Sequence, residues 1–303
     1  MGKYLVKRIL LAVLSVLVIC MITFFAMNAV PGGPFNSEKA LSEATKAALE
    51  KRYNLDKPVI IQFGLYMKNV MRGDFGVSLK TGRDISGTIR DCFKVSAKIG
   101  GLAALFAVII GVVLGALAAL FRNKWPDRLI IFLTTLFTAM PSFVFATFLL
   151  MIFCIQLKLL PVWDASSKSL LLPVVALAAY PTAYITRLTK TSMLDALGQD
   201  YIRTARSKGV STVMVIFKHA LRNALIPVIT YIGPMLAYIL TGSLVVENIF
   251  TIGGLGQQFV KSINNRDYPM IMATTIFLAV IMVLMNLLSD IMYKVVDPRI
   301  KLD

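Results

Sequence analysis

The sequence has one histidine, His219, and lacks the G-x-x-x-x-G-K-[ST] pattern that cradles nucleotide phosphates. Because this single histidine lies in a basic loop between two apolar segments, we expect neither a histidine-based metal cluster nor a Ser/His/Asp triad. The three cysteines, Cys20, Cys92 and Cys154, show no paired spacing, so no disulfide framework is predicted. We therefore expect a chain that is not an enzyme and holds no cofactor or metal. Energy for any work it does has to come from another subunit.

The long apolar segments also have few ionisable residues. Segments long enough to cross about 30 Å of hydrocarbon are predicted at residues 9–30, 98–121, 129–157, 170–187, 224–246 and 270–292. Charged residues and histidine are absent from the centres of the first, third, fourth and fifth, and Lys98 and Asp290 lie near the ends of the other two. Because ion-coupled carriers usually keep ionisable residues in the membrane, this pattern argues against a proton- or sodium-coupled carrier. It leaves a passive pore open.

Apolar residues make up 57% of the chain, and the mean hydropathy is +0.74, well above the roughly 45–50% apolar content of soluble domains. This composition predicts an all-α, polytopic membrane protein with six transmembrane helices. The first apolar segment exceeds a typical signal-peptide core of about 7–15 residues, so we interpret it as an uncleaved helix. Pro173 and Pro181 predict a kink in the fourth segment.

The net charge of +16 follows from 32 basic and 16 acidic residues. Sixteen basic residues fall in short segments that would be cytoplasmic if the N-terminus is inside, namely Lys3, Lys7, Arg8, Arg122, Lys124, Arg128, Arg187, Lys190, Arg203, Arg206, Lys208, Lys218, Arg222, Lys294, Arg299 and Lys301. The two short loops on the other side hold four, Lys158, Lys168, Lys261 and Arg266. The positive-inside rule therefore places both termini in the cytoplasm of a plasma-membrane protein. Because the orientation in the membrane explains the net positive charge, we expect the chain to contact membrane lipid and not to bind nucleic acid.

The chain divides by sequence into an N-terminal transmembrane helix at 1–30, an extracytoplasmic segment at 31–93, a five-helix core at 94–293 and a cytoplasmic tail at 294–303. The extracytoplasmic segment opens with a turn at Pro31–Phe35, and helices are predicted at 37–53 and 58–71. It either packs on the ends of the membrane helices or forms a surface that meets an external partner.

A basic cytoplasmic loop, residues 188–223, separates the fourth and fifth apolar segments. Within it, the spacing predicts a short helix formed by Asp200, Tyr201, Ile202, Arg203, Thr204, Ala205, Arg206, Ser207, Lys208 and Gly209. Asp200 is the expected cap and Gly209 the expected end. At 100° per residue, Ile202, Ala205 and Gly209 fall on one face. Such a helix either docks a soluble partner or lies on anionic lipid.

Uncharged polar side chains are frequent in the third to fifth apolar segments. The candidates for lining a translocation path are Thr138, Ser142, Tyr180, Tyr184, Tyr231, Tyr238, Thr241 and Ser243. Ser and Thr in membrane helices also bond their own backbone or a neighbouring helix, so each has a purely structural alternative. Between the fifth and sixth segments, Gly253, Gly254, Leu255 and Gly256 predict a close backbone approach, a re-entrant turn or a plain loop.

Several strings of residues, in order along nearly the whole chain, resemble the inner-membrane permease subunits of ATP-binding-cassette (ABC) importers of the oligopeptide/dipeptide branch. They are Pro31–Phe35, Gly73–Gly76, Val95–Lys98, Ile202–Gly209, His219–Pro227, Thr241–Glu247, Gly253–Gln257, Asn265–Tyr268 and Asp297–Arg299. The first and third strings look most like the B-type oligopeptide permease. Arg203, Thr204 and Ala205 stand where the general importer pattern has Glu-Ala-Ala.

The resemblance implies a type I ABC importer permease fold and a subunit that imports oligopeptides without catalysis. Residues 200–209 would be the coupling helix to an ATPase, and Gly253–Gly256 would lie at the outer mouth. Expected partners are a second homologous permease, two ATP-binding subunits that hold ATP and magnesium, and an extracytoplasmic peptide-binding protein. Alternatives are a dipeptide or nickel importer of the same type or, from other classes, a self-sufficient channel or carrier, or a membrane enzyme.

Overall fold

The structure is a computed structural model that describes residues 2–31, 33–34, 56–161 and 169–296. These residues are mainly α-helical, with one isolated antiparallel bridge among them, between Val77 and Asp84. The helix predicted at 37–53 lies outside the described residues. The helix predicted at 58–71 is confirmed, because the structure has it at Val59–Val70.

The helices are numbered here in chain order. They are α1 (Gly2–Ala29), α2 (Val59–Val70), α3 (Ile85–Leu120), α4 (Trp125–Ala139), α5 (Ser142–Leu149), α6 (Leu171–Leu197), α7 (Asp200–Ser207), α8 (Thr212–Met214), α9 (Arg222–Ile249), α10 (Leu255–Asn264) and α11 (Tyr268–Val296). In the described part of the chain, a π-helical stretch follows α5 at Leu150–Gln156, and another lies between α8 and α9 at Val215–Leu221.

Within the described residues, five helical segments are long and apolar enough to cross a membrane, or six if one bent pair counts as a span. The unbroken segments are Val6–Ala29, Ile85–Leu120, Leu171–Leu197, Thr212–Leu240 and Tyr268–Met292. The bent pair is Trp125–Ala139 with Ser142–Gln156. The prediction of an all-α membrane protein with six apolar segments is thereby confirmed, with one segment broken.

The break contradicts the prediction of one continuous span at 129–157. The two halves meet at 107°. Met140 has φ −88° and ψ 124°, an extended conformation, and Pro141 follows it with φ −57° and ψ 139°. Proline disfavours the helical conformation of the residue before it and has no N–H to continue the hydrogen-bond ladder. One Met-Pro dipeptide therefore ends α4 and starts α5 in a new direction.

The segment predicted as a loop at 188–223 is largely helical. Its first part belongs to α6, which runs to Leu197, and its last part belongs to the helical run from Thr212 onward. Pro181 lies inside α6 without ending it. Hydropathy marks only the part of a helix within hydrocarbon, so polar turns that extend beyond that layer are counted as loop.

The chain divides into two compact units, one formed by Met1–Val95 with Gly253–Val283 and the other by Ser96–Ile252 with Leu284–Asp303. In the first unit, Cys20 and Phe24 of α1 pack with Met272 and Ile276 of α11. A second cluster joins Ile85 and Ile89 of α3 to Leu255, Met270 and Ala273. These apolar contacts hold α1, α2, the start of α3, α10 and the first part of α11 together.

A buried carboxylate orders a loop of the first unit. Asp267 Oδ2 accepts a hydrogen bond from Ser78 Oγ at 2.5 Å, and Oδ1 accepts one from the Leu79 backbone N at 3.1 Å. Arg266 Nη1 donates to the carbonyl oxygen of Pro31 at 2.9 Å. The residues just before α11 therefore hold the chain after α1 and the turn before α3.

The second unit is packed through small residues. A Cβ added at Gly111 would lie 2.7 Å from Ile185 Cγ2, and one added at Gly115 would lie 2.5 Å from the Thr186 carbonyl oxygen. A Cβ at Gly233 of α9 would lie 2.4 Å from Ser289 Cβ of α11. The missing side chains let α3 approach α6 and α9 approach α11, as is typical of membrane helices.

Candidate functional site

Helix α7 is a short, two-faced element between α6 and the helical run that begins at α8. Gln199, with no side-chain cap bond, precedes it, so the prediction that Asp200 is the N-cap is wrong; Asp200 is the first residue of the helix. The negative charge there still favours the helix N-terminus. At the other end Gly209 has φ +75°, a conformation that glycine adopts without strain, and this reverses the chain.

The inner face of α7 is held by apolar contacts. Ile202 is fully buried and Ala205 nearly so, as their predicted spacing required. They pack in a cluster with Ala119 of α3 and Met193 of α6. The other buried members are Ala196, Val215, Ala220 and Ala224. Gly209 is exposed and not on this face, because the helix ends before it.

The outer face of α7 is exposed and basic. Its exposed residues are Asp200, Tyr201, Arg203, Thr204, Arg206 and Ser207, with Lys208 directly after the helix. The Asp200–Arg203 contact of 3.5 Å is solvent-exposed, and such pairs contribute little to stability. This face therefore offers cationic groups that the chain's own packing does not use.

Apolar residues continue this exposed region beyond α7. Val213, Met214 and Phe217 are 66%, 50% and 63% exposed. Asn223 Nδ2 donates to Tyr201 Oη at 3.1 Å, which ties α7 to the start of α9. The sequence prediction stopped at Gly209 and missed these residues; the signal that was available is an apolar group inside an otherwise basic stretch.

Four of the predicted path-lining residues form two ring contacts between α6 and α9. The ring centroids of Tyr180 and Tyr238 are 5.1 Å apart, and those of Tyr184 and Tyr231 are stacked at 4.2 Å. Tyr180 and Tyr184 are also partly exposed, at 36% and 41%. The two tyrosines of α6 are four positions apart and those of α9 are seven positions apart. This helical spacing places both ring pairs along one seam between the two helices.

A cleft of about 280 Å³ adjoins this seam and is lined in part by Thr138, Ser142, Tyr180 and Tyr238. The Met140–Pro141 break also lines it, so the bend shapes the cleft. Thr138 Oγ1 bonds back to Thr134 O and Thr135 O, both at 3.0 Å. The Thr138 hydroxyl therefore also bonds the backbone of its own helix, which is the structural alternative considered from the sequence.

Three other predicted path residues, Tyr184, Tyr231 and Ser243, are not among those that line this cleft. Ser243 is buried, and its Oγ donates to Leu240 O of its own helix at 2.9 Å. The side chain of Thr241 lies outside the described residues. Serine and threonine hydroxyls commonly satisfy their hydrogen-bonding capacity in this way within membrane helices.

The glycine-rich stretch at 253–256 starts α10. Gly254 is its N-cap, with φ −91° and ψ −179°, and Leu255 and Gly256 are buried in its first turn. The left-handed conformation lies instead at Thr251, with φ 52°. The glycines of this stretch therefore do not supply a positive φ.

A second cavity, of about 430 Å³, lies within the first unit and is lined by residues that include Phe24, Tyr66, Asp74 and Asp84. The Tyr66 hydroxyl is buried and has no hydrogen-bond partner among the described residues. Burial, with a smaller contribution from Cys20, raises the pKa of Tyr66 well above its ordinary value. Asp74 and Asp84 accept hydrogen bonds from the backbone N of Gly76 and Gly87.

Sequence reasoning also missed a polar contact between α4 and α6. Lys190 Nζ lies 2.5 Å from Asp127 Oδ1, and Arg187 Nη2 donates to Thr135 Oγ1 at 2.7 Å. Their partners are more than fifty positions away in sequence, so no local pattern could indicate them. Within the described residues, no group of three or more His, Cys, Asp or Glu could hold a metal ion.

The apolar helical segments among the described residues, long enough to cross a membrane, define a multi-pass membrane protein. The chain belongs to the family of binding-protein-dependent transport system inner membrane components, whose model matches residues 111–302. The model of the N-terminal region of the same kind of component matches residues 1–98.

The relatives are similar over their full lengths. The dipeptide transport system permease protein DppB of Bacillus subtilis is 47% identical over 304 residues, which cover 100% of this chain and 99% of the relative. The oligopeptide transport system permease protein OppB of Haemophilus influenzae is 40% identical over 305 residues, which cover 99% and 100%.

Solved structures agree on the fold. An amino acid ABC transporter solved with histidines has a TM-score of 0.56 at 17% identity, covering 69% of this chain and 94% of that chain. The inward-facing MetNI methionine ABC transporter has a TM-score of 0.55 at 17% identity, covering 69% and 95%. The fold is that of ABC importer permeases, consistent with type I.

Proposed function

We propose that this chain is a non-catalytic permease subunit of an ATP-driven importer of short peptides, and that α7 is its coupling helix to an ATPase subunit. The observation that carries the coupling role is the exposed basic face of α7, anchored to the chain by Ile202 and Ala205. The substrate class rests on the relatives, which are named as dipeptide and oligopeptide permeases.

ATP binding and hydrolysis take place in two partner subunits, which hold the nucleotide and magnesium. Force on α7 passes to α6 through the two residues that separate the helices, Gly198 and Gln199. The exposed Val213, Met214 and Phe217 extend the contact with an apolar patch, because interfaces combine apolar anchors with a polar rim. Rigid-body rocking then opens the path to one side at a time.

Half of the path is lined by this chain and half by a second homologous permease. The cleft beside Tyr180 and Tyr238 has uncharged polar groups, Thr138 and Ser142, among its lining residues. Hydroxyl groups both donate and accept hydrogen bonds, so they can meet the N–H and C=O groups of a peptide backbone in any register. An extracytoplasmic binding protein delivers the peptide to the outer mouth near residues 253–256.

The test is ATP-dependent uptake of a labelled peptide by the complete complex in liposomes. Ala205 is buried, so a charge at that position tests folding rather than docking; the informative change is Arg203→Glu with Arg206→Glu on the exposed face. We expect the double variant to lower uptake at least about tenfold, because reversed charges at an interface repel. Arg128→Glu, an exposed charge reversal on α4, is the matched control and keeps uptake.

Loss of uptake together with release of the ATPase subunits supports the coupling role. Unchanged uptake with the ATPase subunits still bound contradicts it. Competition with unlabelled dipeptides, longer peptides and nickel then defines the substrate. Competition by nickel and not by peptides would overturn the assignment to peptides.

A further inference from the structure

A partly buried ion pair joins the start of α4 to the part of α6 that the charge pattern assigns to the cytoplasm. Lys190 Nζ lies 2.5 Å from Asp127 Oδ1, and the side chains are 19% and 7% exposed, respectively. Charges removed from water in this way interact more strongly than exposed ones and are costly to separate. The pair therefore resists relative movement of the two helices at this point.

The Asp127 carboxylate is oriented from two sides. Its Oδ2 accepts a hydrogen bond from the backbone N of Asn123 at 2.9 Å. Asn123 has φ 64° and lies in the turn between α3 and α4. Asp127 thus binds Lys190 with one oxygen and fixes the entry to α4 with the other.

Arg187 extends the contact along the same two helices. Its Nη2 donates to Thr135 Oγ1 at 2.7 Å, and its Nε donates to Thr134 Oγ1 at 3.4 Å. Asp127 and Thr135 are eight residues apart, about 12 Å along a helix. The polar contacts therefore tie α4 to α6 over about two turns.

The position of this contact connects two parts of the proposed transporter. On α6, Lys190 lies seven residues before the last residue, Leu197, and α7 begins at Asp200. On α4, Thr138 and the Met140–Pro141 break lie at the opposite end from Asp127 and line the cleft. Helix α4 is thus a rod of about 20 Å between the ion pair and the cleft.

We propose that Asp127 and Lys190 are positioning residues for energy coupling, which make α4 follow α6 when the ATPase displaces α7. The ion pair has one arrangement in which both charges are satisfied, so moving the helices apart there would leave a partly buried charge without its partner. The cleft consequently changes shape in step with α7. This inference rests on the proposed function of the chain as an importer subunit.

The experiment measures peptide taken up per ATP hydrolysed, with the complete complex in liposomes. We expect Lys190→Met to lower this ratio about tenfold, within the usual range of coupling factors, while ATP hydrolysis persists. Lys190→Arg keeps the charge and retains the ratio. Asp127→Asn combined with Lys190→Met lowers the ratio no further than either change alone, because both changes remove the same contact.

Lys94→Met is the matched control, since Lys94 and Asp91 form an ion pair of 3.1 Å at 69% and 77% exposure, where such pairs contribute little. A purely structural role would reduce the amount of assembled complex and leave the ratio unchanged, and this result overturns the proposal. If Lys190→Met does not assemble, Lys190→Gln is subjected to the same measurement and the same criterion. Absence of ATP-driven uptake by the unmodified complex contradicts the importer function itself.

Discussion

At the scale of single residues, the contact between α3 and α6 depends on the missing side chain of Gly115. A Cβ there would lie 2.5 Å from Thr186 O and 2.6 Å from Thr189 Cβ. We expect Gly115→Val to destabilise the protein by about 1–3 kcal/mol, the usual cost of overpacking. The melting temperature of the purified chain in detergent measures the effect.

Gly101→Val is the control for Gly115→Val, because Gly101 is on the same helix, is exposed, and has nothing within 4 Å of an added Cβ. We expect its melting temperature to stay near that of the unmodified protein, since the same substitution changes the helix propensity alike at both positions. Equal losses at the two positions would show that α3 tolerates a side chain at Gly115.

Residue positions within one helix were predictable, whereas contacts between distant helices were not. The buried face of Ile202 and Ala205 followed from helical spacing alone, and the cluster around them confirms it. The contact of Asp127 with Lys190 joins positions 63 apart. Only the three-dimensional packing of α4 on α6 brings them together, so a periodic pattern gives no sign of it.

At the scale of helices, the bend between α4 and α5 depends on Pro141. Replacing it with alanine restores an N–H and removes the restriction on Met140, so we expect Pro141→Ala to favour a straight helix. The measurement is the distance between spin labels at Arg128 and Ile155, both exposed, in a chain whose native cysteines are replaced. A straight helix would separate these positions by about 40 Å.

Pro173→Ala provides the comparison for the bend. Pro173 lies in the first turn of α6, where proline is tolerated because the first N–H groups have no partner within the helix. Its removal leaves the label distance unchanged. If Pro141→Ala also leaves the distance unchanged, packing around the cleft and not the proline maintains the bend.

Helix existence was easier to predict than helix extent. Apolar composition located each membrane segment, but α3 begins at Ile85 and α6 ends at Leu197, beyond the predicted limits of 98 and 187. These extra turns carry polar residues that hydropathy scores as loop. The break at Met140–Pro141 was missed because both sides of it are equally apolar, and apolarity says nothing about direction.

At the scale of the whole molecule, the charge pattern makes a prediction about orientation. Short segments assigned to the cytoplasm carry 16 basic residues against four on the other side, which places both termini and α7 in the cytoplasm. The residues between α1 and α3 would then face outward. Orientation is a property of the entire chain, because moving any one loop across the membrane would invert its neighbours.

Labelling with a membrane-impermeant maleimide tests this orientation in spheroplasts. In a chain with its three cysteines replaced, Thr81→Cys and Ser207→Cys introduce exposed thiols before α3 and at the end of α7. We expect the first to react in intact spheroplasts and the second only after the membrane is permeabilised. Reaction of Ser207→Cys in intact spheroplasts would show the opposite orientation, in which α7 could contact no cytoplasmic ATPase. The same reagent applied to the complete complex adds a further expectation: bound ATPase subunits should slow labelling at Ser207→Cys after permeabilisation, because the coupling role buries this face.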